Sequence, residues 1–466
     1  MTKRGAEKPT GAVTFEGGSF GSIRPRANFA ATYGKLSLSA SASYFSTDND
    51  RINSDLRQRD VNASVRYQIL ERLDVTVSGW FRDMWTGSPG ADSGWGANDP
   101  LAFFEDENSN IALTLHAQPV EFWDARLVLS HNRVNRFFSD PNGNQGTNAW
   151  TKIDRDQIDF QNIFTISEQH KFVAGFAFDT AHANRDGFDL MGFPTHISPT
   201  TQSYAGYAQY EFTPIERLTL TAGGRLESFN TFGEELTGRV GGRYTLPGME
   251  TILRANIGTG FRSPNFVDLF YPGYNNPNLQ PEHSIGWDAG FEQPLLENKL
   301  RVGANYFQNE FDNLISYNPA ISAPDNVQKA KTIGIETFGV FKPVADLTLR
   351  ASYTYLAVAE DRVTDRRLLR RPRHTGEISA NYHFLKRLDA GARLLLVGDR
   401  HDFDPATFAT VKGGSYVKLD LSLACEICPH FSVFGRIENV ADQRYAEVLG
   451  YPALGRAFWG GGTVKF

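Results

Sequence analysis

Strict alternation of apolar and polar residues is the most repeated feature of this chain. Residues 36–44 show it clearly, because apolar side chains occupy every even position and serine occupies every odd one. A period of two residues sends side chains alternately to the two faces of a β-strand. The same period returns along the whole chain and predicts 22 strands, the last of which ends on Phe466.

The predicted connections also alternate, between long polar loops and short turns. The chain makes a short turn at Glu71–Arg72, and a long loop from Asp83 to Ser109 follows the next strand. An even strand number, short periplasmic turns and long extracellular loops are typical of outer-membrane barrels. Each strand with its connection takes roughly 21 residues, which suits a tilted membrane strand of about 10 residues and its link. We therefore predict an all-β fold, a 22-stranded antiparallel transmembrane β-barrel.

Composition limits the alternatives. Mean hydropathy is −0.37, and no run approaches the roughly 18 apolar residues of a membrane helix. A soluble β-rich binding module would have such an average, and so would a barrel with a polar lumen. Solubility without detergent would favour the module. The net charge of −6 argues against a nucleic-acid binder, which is normally basic.

Three segments lack the alternation and are rich in residues that mark turns. The first lies between a strand that ends near Gly258 and one that begins near His283. It reads GTGFRSP at 258–264, LF at 269–270 and NPNLQPE at 276–282. The others read RPRH at 371–374, and NVADQRY at 439–445 followed by GYP at 450–452 and GR at 455–456.

These segments resemble the signature segments of TonB-dependent outer-membrane receptors. Barrel size and loop style are most similar to the vitamin B12 (cobalamin) receptor branch. The resemblance implies a structural role, in setting the ends of loops and strands, for one group of motif residues: Gly258, Gly260, Phe261, Arg262, Pro264, Asn276, Pro277, Glu282, Asn439, Tyr445, Gly455, Arg456 and Phe466.

The family resemblance also implies a location, a function and partners. The location is the outer membrane of a Gram-negative bacterium, and the function is uptake of a scarce large ligand such as cobalamin or an iron chelate. The expected partners are membrane lipid, lipopolysaccharide and the barrel-assembly machinery, and we expect a monomer. No Ser/His/Asp arrangement has local support, so we predict no enzyme; an outer-membrane phospholipase or protease is the weaker hypothesis.

Receptors of this family carry an N-terminal plug inside the barrel. In the family, the plug runs into the barrel through a Thr-Lys-Arg-Gly-like stretch, which here occupies residues 2–5. We therefore interpret residues 1–466 as the barrel domain alone, with TonB as a partner only where a plug is supplied. The alternative function is a passive diffusion pore, since side chains cannot fill the lumen of a barrel this wide.

Aromatic residues in the predicted external loops are the candidate ligand contacts. The middle of these loops holds Trp95, Tyr271, Tyr274 and Phe403. Binding surfaces favour aromatic residues. Those closer to strand ends are expected in the aromatic girdle at the membrane interface instead. This second group comprises Trp85, Phe103, Phe104 and Phe408.

Charged loop residues and the two cysteines leave further possibilities open. Arg366–Arg371 is a basic run that could contact lipopolysaccharide phosphates. Cys425 and Cys428 form either a small disulfide or two free thiols. Acidic clusters could bind calcium in the extracellular loops, although solvated loop charge is the simpler explanation. These clusters are Asp48/Asp50/Asp55, Asp99/Glu105/Asp106/Glu107 and Asp402/Asp404.

Overall fold

The computed structural model describes residues 8–143, 148–188 and 193–466, and these form a closed antiparallel β-barrel. The predicted fold class, with 22 barrel strands, is confirmed. The stretch at residues 2–5 lies outside the described residues. In chain order the barrel strands are β1 Thr10–Gly18, β2 Arg26–Tyr33, β3 Leu36–Thr47, β4 Leu56–Leu70, β5 Leu73–Gly87, β6 Phe103–Val120, β7 Trp123–Ser139, β8 Ala149–Thr165, β9 His170–Phe188, β10 Thr200–Ile215, β11 Leu218–Phe229, β12 Gly233–Thr245, β13 Ile252–Arg262, β14 Glu282–Leu295, β15 Leu300–Asn318, β16 Ala323–Phe341, β17 Leu347–Asp361, β18 His374–Phe384, β19 Leu388–Val397, β20 Tyr416–Cys428, β21 Phe431–Glu438 and β22 Ala457–Lys465.

The barrel closes where β1 pairs with β22. The register runs from Ala12 opposite Lys465 to Gly18 opposite Trp459. The backbone of Phe466 exchanges hydrogen bonds of 2.7 and 3.0 Å with Gly11, so the terminal residue takes part in closure. An open sheet edge cannot be tolerated in lipid, because its unpaired N–H and C=O groups would have no partners there.

The two faces of each strand differ as the sequence pattern predicts. Val13 and Phe15 point away from the lumen and are 49% and 58% exposed. Glu16 and Arg436 point into the lumen, where they form an ion pair beside the closing seam. The alternating polar set therefore lines the interior, and the apolar set forms the outer wall.

The connections follow the predicted alternation with two exceptions. Residues 230–232 and 319–322 lie at the extracellular end, but they are turns of three and four residues. At residues 319–322 the flanking strands are long, because β15 and β16 each contain 19 residues and pair as far as Asn318 opposite Ala323. The strands beside residues 230–232 contain only 12 and 13 residues. The prediction of strictly alternating lengths was wrong at both places; at 319–322 the reason is that a polar strand extension and a polar loop have similar compositions.

One short helix and several short strands lie at the extracellular end of the barrel. Helix α1 spans Phe266–Phe270, and two small hairpins pair Arg400–Phe403 with Thr410–Gly413 and Ala446–Val448 with Tyr451–Pro452. Three further short strands, Ser22–Ile23, Pro194–Ile197 and Arg366–Arg367, extend the barrel wall. Among the described residues, no helix is long and apolar enough to cross a membrane.

The side chains of the described residues do not fill the lumen. A cavity of about 1390 Å³ lies against the inner wall of β10–β17, and its lining includes Arg239, Arg243 and Arg254. Several lumen-facing positions of this wall are glycines, among them Gly241 and Gly258. Because they have no side chain, they widen the cavity. The chain itself thus leaves room inside the barrel, as expected for 22 strands.

Candidate ligand-binding site at the extracellular mouth

A buried carboxylate joins three extracellular loops. Asp402 is 2% exposed, and its Oδ1 accepts a hydrogen bond of 2.8 Å from Arg370 Nε. Its Oδ2 accepts the backbone N–H of Leu449 at 2.8 Å. Burial acts to raise the pKa of Asp402, but the hydrogen bonds from Leu449, Arg370 and Phe403 outweigh it and hold that pKa below its usual value. Asp402 therefore stays ionised and ties the three loops together.

A second group of side chains links the loop that holds Asp402 to the loop that holds Leu449. Arg400 is 6% exposed and donates from Nε to the Glu447 carbonyl at 3.0 Å. Its guanidinium lies 5.8 Å from the Tyr416 ring, and the Tyr416 hydroxyl donates to Glu447 at 2.7 Å. Tyr445 stacks on Tyr416 with ring centroids 4.0 Å apart.

The loop at residues 88–102 joins this group across the barrel mouth. The backbone N–H of Asp92 donates to the Gly450 carbonyl at 2.8 Å. Gly450 adopts a left-handed φ of +85°, and a Cβ there would stand 2.7 Å from Pro405. Glycine therefore permits the close approach. We call the four loops at 88–102, 362–373, 398–415 and 439–456 the loop assembly.

The first signature segment forms a separate structure on the opposite part of the mouth. Arg262 at the end of β13 and Glu282 at the start of β14 form a two-pronged ion pair, with Nε 2.6 Å from Oε2. Glu282 also accepts the backbone N–H of Ile315 at 2.8 Å. This geometry closes the base of the 263–281 loop and ties it to the extended tip of β15.

The interior of that loop is also ordered by side-chain to backbone hydrogen bonds. Asn265 caps α1 by accepting the N–H of Asp268 at 2.9 Å. Asn276 donates to the Pro324 carbonyl at 3.0 Å, and Leu279 is only 2% exposed.

The 263–281 loop also folds inward. Tyr271 lies under Arg185 of β9, with the guanidinium 5.4 Å from the ring. By the alternation of β9, Arg185 shares the lumen face with Ala183, which is 2% exposed. Since β9 is four strands away from β13, the loop spans part of the barrel mouth. Tyr274 stacks in parallel on Tyr317 at 6.2 Å.

The four candidate ligand contacts therefore fall into two pairs. Tyr271 and Tyr274 pack against other residues of the chain and are half-buried. Trp95 and Phe403 are 67% and 48% exposed and lie on neighbouring loops of the loop assembly. Those loops touch where Gly94 meets the backbone of Pro405. Sequence reasoning had no signal for this division, because it depends on contacts between distant segments.

The aromatics near the strand ends are arranged differently. Trp85, Phe103 and Phe104 belong to β5 and β6, not to the loop predicted to begin at Asp83. Trp85 stacks on Phe103 at 5.9 Å, and Phe104 packs on Phe138 at 4.7 Å. The register places Trp85 and Phe103 on the outward face, where an aromatic girdle lies, whereas Phe104 stands opposite Thr86 on the lumen face. Phe408 differs from them, because it is 74% exposed at the tip of a loop.

Two residues of the predicted acidic clusters, Asp99 and Asp106, are bound within the protein. Asp99 is fully buried and accepts the N–H groups of Leu101 and Ala102 at 2.8 and 2.9 Å. Asp106 is paired with Arg136 at 2.6 Å. In the parts of the chain that the structure describes, no group of three or more His, Cys, Asp or Glu residues is placed to hold a metal ion.

The C-terminal signature segment shapes the loop after β21. Asn439 is 1% exposed, donates to the carbonyl of Gln443 at 3.0 Å and accepts the Gln443 N–H at 2.9 Å. Asp442 accepts the N–H of Arg456 at 2.7 Å, and a Cβ at Gly455 would stand 2.7 Å from the same carboxylate. These residues set the loop that carries Tyr445.

The cysteines lie at the opposite, short-turn end of the barrel. Cys425 is half-buried and Cys428 is exposed at the end of β20, and both are free thiols. Of the two possibilities that the sequence left open, the structure contains the free thiols.

Comparison with known proteins decides the family. The family model described as TonB dependent receptor-like, beta-barrel, matches residues 41–440. The chain belongs to this family. It is therefore a protein of the Gram-negative outer membrane, and the family consists of receptors and transporters.

Solved structures of low sequence identity share the fold of this TonB-dependent receptor barrel. The ferripyoverdine receptor of Pseudomonas aeruginosa has a TM-score of 0.85 at 16% identity, covering 100% of this chain and 72% of the other. The siderophore receptor PirA of Acinetobacter baumannii has a TM-score of 0.84 at 13% identity, with 100% and 81% covered. The copper transporter OprC has a TM-score of 0.83 at 16% identity, with the same coverage.

Proposed function

We propose that this barrel takes up a large metal chelate that first binds at the extracellular mouth. The observation that carries the proposal is the exposed pair Trp95 and Phe403 on two loops that are fixed to each other. Fixed loops present aromatic surface with little loss of conformational entropy on binding. A large planar or caged ligand gains most from such rigid aromatic contacts.

The ligand classes to test are ferric chelates and cobalamin. Structures of the same fold include receptors for ferripyoverdine and ferric enterobactin, which supports a ferric siderophore as the first class. The sequence resemblance to the cobalamin receptor branch supports cobalamin as the second. Passage through the barrel would be energised by TonB where a plug domain occupies the lumen, and the 1390 Å³ cavity marks where the inner wall leaves room.

A binding titration tests the proposal. The purified chain in detergent would be titrated with ferric hydroxamate chelates, ferric catecholate chelates and cyanocobalamin, with affinity measured by calorimetry. We expect one class to bind, and Trp95→Ala or Phe403→Ala to weaken that class by about tenfold, the usual scale for an aromatic contact. Tyr274→Ala is the matched control, because its ring already stacks on Tyr317. Equal losses in all variants would contradict the assignment.

The passive pore is the second function, and conductance separates it from the first. The inward fold of the 263–281 loop narrows the mouth, whereas an open pore requires an unobstructed lumen. Inserted into a planar bilayer, the chain should give a small conductance that rises when Tyr271→Ala removes the contact with Arg185. A large, steady wild-type conductance would favour the pore.

A further inference from the structure

Two arginines stand directly opposite each other on the inner wall of the barrel. Arg243 of β12 and Arg254 of β13 are partners in the strand register. Their Cβ atoms therefore lie about 5 Å apart on the same face of the sheet. Both side chains line the lumenal cavity of about 1390 Å³. Like charges directly opposite each other destabilise a sheet, so the pair gains from any anion that binds between them.

The neighbouring positions in the same row carry no charge. Thr219 of β11 stands opposite Arg243, and Gly290 of β14 stands opposite Arg254. Within the part of the chain that the structure describes, neither arginine side chain makes an ion pair or a hydrogen bond. Both are exposed to the lumen. Their guanidinium donors are therefore available to a solute in the cavity.

The acidic residues nearest to Arg254 have other partners. On the lumen face of β14 these are Asp288 and Glu292. Asp288 accepts a hydrogen bond of 3.3 Å from Asn256 Nδ2. Glu292 is paired with Arg301 at 2.9 Å. Neither carboxylate forms an ion pair with Arg254, so β14 does not neutralise the arginine pair.

The other acidic residues of the cavity are farther away. Glu211 belongs to β10, two strands from Arg243, and Glu336 belongs to β16, three strands from Arg254. At the usual spacing of strands these separations are about 10 and 14 Å. Arg239, which donates to a glutamine side chain, adds a third cation on β12. The wall formed by β12 and β13 is therefore locally positive.

The wall beside these arginines is open to a solute. Gly258 lies four residues from Arg254 on the lumen face of β13, directly opposite Arg239. The atoms nearest to a Cβ at Gly258 are the Gly238 carbonyl oxygen and the Cβ and Cα of Arg239. No side-chain end covers Gly258, so the space between Arg239 and the arginine pair can admit a solute.

The arginine pair lies near the periplasmic end of the lumen. Arg243 is two residues before the end of β12, and Arg254 is two residues after the start of β13. A short turn joins these two strands. The exposed aromatics Trp95 and Phe403 lie at the opposite end, on extracellular loops. A solute that enters at the mouth therefore meets the arginine pair last, just before it leaves the barrel.

We infer that Arg243 and Arg254 bind the oxyanion groups, carboxylate or phosphate, of a multiply charged anionic solute at the periplasmic exit of the lumen. A guanidinium group binds such oxygens through two parallel hydrogen bonds. An anion between the two arginines also removes their mutual repulsion. The inference rests on the proposed uptake function and adds a ligand class to it, namely a metal chelate that carries several negative oxygen groups.

Binding of citrate to the purified chain in detergent tests the site. The probes are citrate, its uncharged trimethyl ester and pyrophosphate, with affinity measured by calorimetry at low ionic strength. We expect citrate or pyrophosphate to bind wild type at least about tenfold more tightly than R243Q/R254Q, because the variant loses charge-assisted hydrogen bonds. The tighter of the two anions identifies the preferred group. The ester should bind both proteins equally weakly.

The control variant R155Q/R225Q removes the same charge from another part of the lumen. Arg155 is paired with Asp179 at 2.6 Å, and Arg225 with Glu227 at 2.8 Å. This variant should bind citrate within about twofold of wild type, because salt screens charges that do not touch the solute. Heat-modifiable migration on gels verifies that every variant is folded. Equal weakening by both double variants would overturn the site, and so would wild type that binds neither anion.

Failure of this site and failure of the proposed function give different results. Chelate binding at the mouth is measured through Trp95 and Phe403, whereas citrate binding is measured through Arg243 and Arg254. Loss of citrate binding in R243Q/R254Q with chelate binding retained would show two separate sites along the path. Tetraglutamate that binds at least about tenfold more tightly than citrate would assign the arginines to a polypeptide and would overturn the small-solute site.

Discussion

Asp402 and Arg370 form an ion pair of 2.8 Å between two extracellular loops, at a carboxylate that is 2% exposed. The second oxygen of Asp402 accepts the N–H of Leu449 from a third loop. One side chain thus has partners on three segments that are distant in sequence. Order in the loop assembly should depend on it more than on any surface charge pair, because hydrogen bonds to a buried charge are the stronger kind.

Replacing Asp402 by Asn should loosen the loop assembly while the barrel stays intact. The amide keeps the shape but loses the charge, and about 1.5–3 kcal/mol is typical of a hydrogen bond to a charged group. Hydrogen exchange in residues 398–415 and 439–456 should accelerate about tenfold or more. Asp404→Asn is the control, because Asp404 accepts the backbone N–H groups of Ala406 and Thr407 within its own loop. Equal acceleration in both variants would refute the role of Asp402.

The lowered pKa of Asp402 predicts how the stability of the loop assembly changes with pH. Its folded pKa lies below the usual value. A depressed carboxyl pKa adds stability that is complete above the unfolded pKa of about 3.9 and is lost as pH falls through the folded pKa. Loop exchange in wild type should therefore accelerate below about pH 4 beyond the intrinsic rate change. In Asp402→Asn this additional acceleration should be absent.

Removing Arg436 should weaken barrel closure. Glu16 is 1% exposed and pairs with Arg436 across the closing seam, while Arg24 lies 3.6 Å away. Leaving a buried carboxylate without its main partner costs about 3 kcal/mol. Arg436→Met should lower the free energy of unfolding in urea by that amount.

An exposed ion pair serves as the control for closure. Arg59 and Asp83 are 3.2 Å apart, with side chains 72% and 45% exposed. Arg59→Met should change the free energy of unfolding by less than about 1 kcal/mol, as is usual for surface pairs. The proposed role of Arg436 in closure would be refuted if Arg436→Met changed the free energy of unfolding as little as Arg59→Met. It would also be refuted if the double variant Glu16→Gln/Arg436→Met were no more stable than Arg436→Met alone.

Breaking the ion pair at the base of the 263–281 loop should disorder that loop. Glu282 is bound by Arg262 and by the Ile315 N–H, so Glu282→Gln weakens both contacts. We expect faster proteolysis within residues 263–281 and an unchanged barrel melting temperature. A double-mutant cycle with Arg262→Gln should give a coupling energy of about 1 kcal/mol or more. Additive effects would show that the two side chains act independently.

The two cysteines should react as free thiols. Cys428 is exposed and Cys425 is half-buried, so a polar maleimide should label Cys428 faster. In oriented vesicles, labelling should occur from the periplasmic side, since β20 ends there at a short turn. Mass spectrometry of the unreduced protein would count the labels. A mass lower by two hydrogen atoms, with no label, would indicate a disulfide instead.

The sequence by itself determined the barrel. Strand geometry imposes a period of two residues. Because the barrel has lipid outside and water inside, apolar and polar side chains must lie on opposite faces. The alternation of residues 36–44 was therefore enough to predict the strand they form. The signature residues likewise indicate the family, because Arg262 and Glu282 flank a loop whose bounds the breakers already mark. The sequence did not locate every strand end, because the polar extensions of β15 and β16 have the composition of loops.

Only the tertiary structure decided which loop residues face solvent and which face each other. Tyr274 and Trp95 look alike in the sequence, yet one ring stacks on Tyr317 and the other is 67% exposed. Within the basic run, Arg370 meets Asp402 and Arg367 faces outward, because strand register and loop packing assign neighbours that lie far apart in the chain. Local periodicity carries no information about such contacts, so the candidate ligand-binding site could be identified only from the tertiary structure.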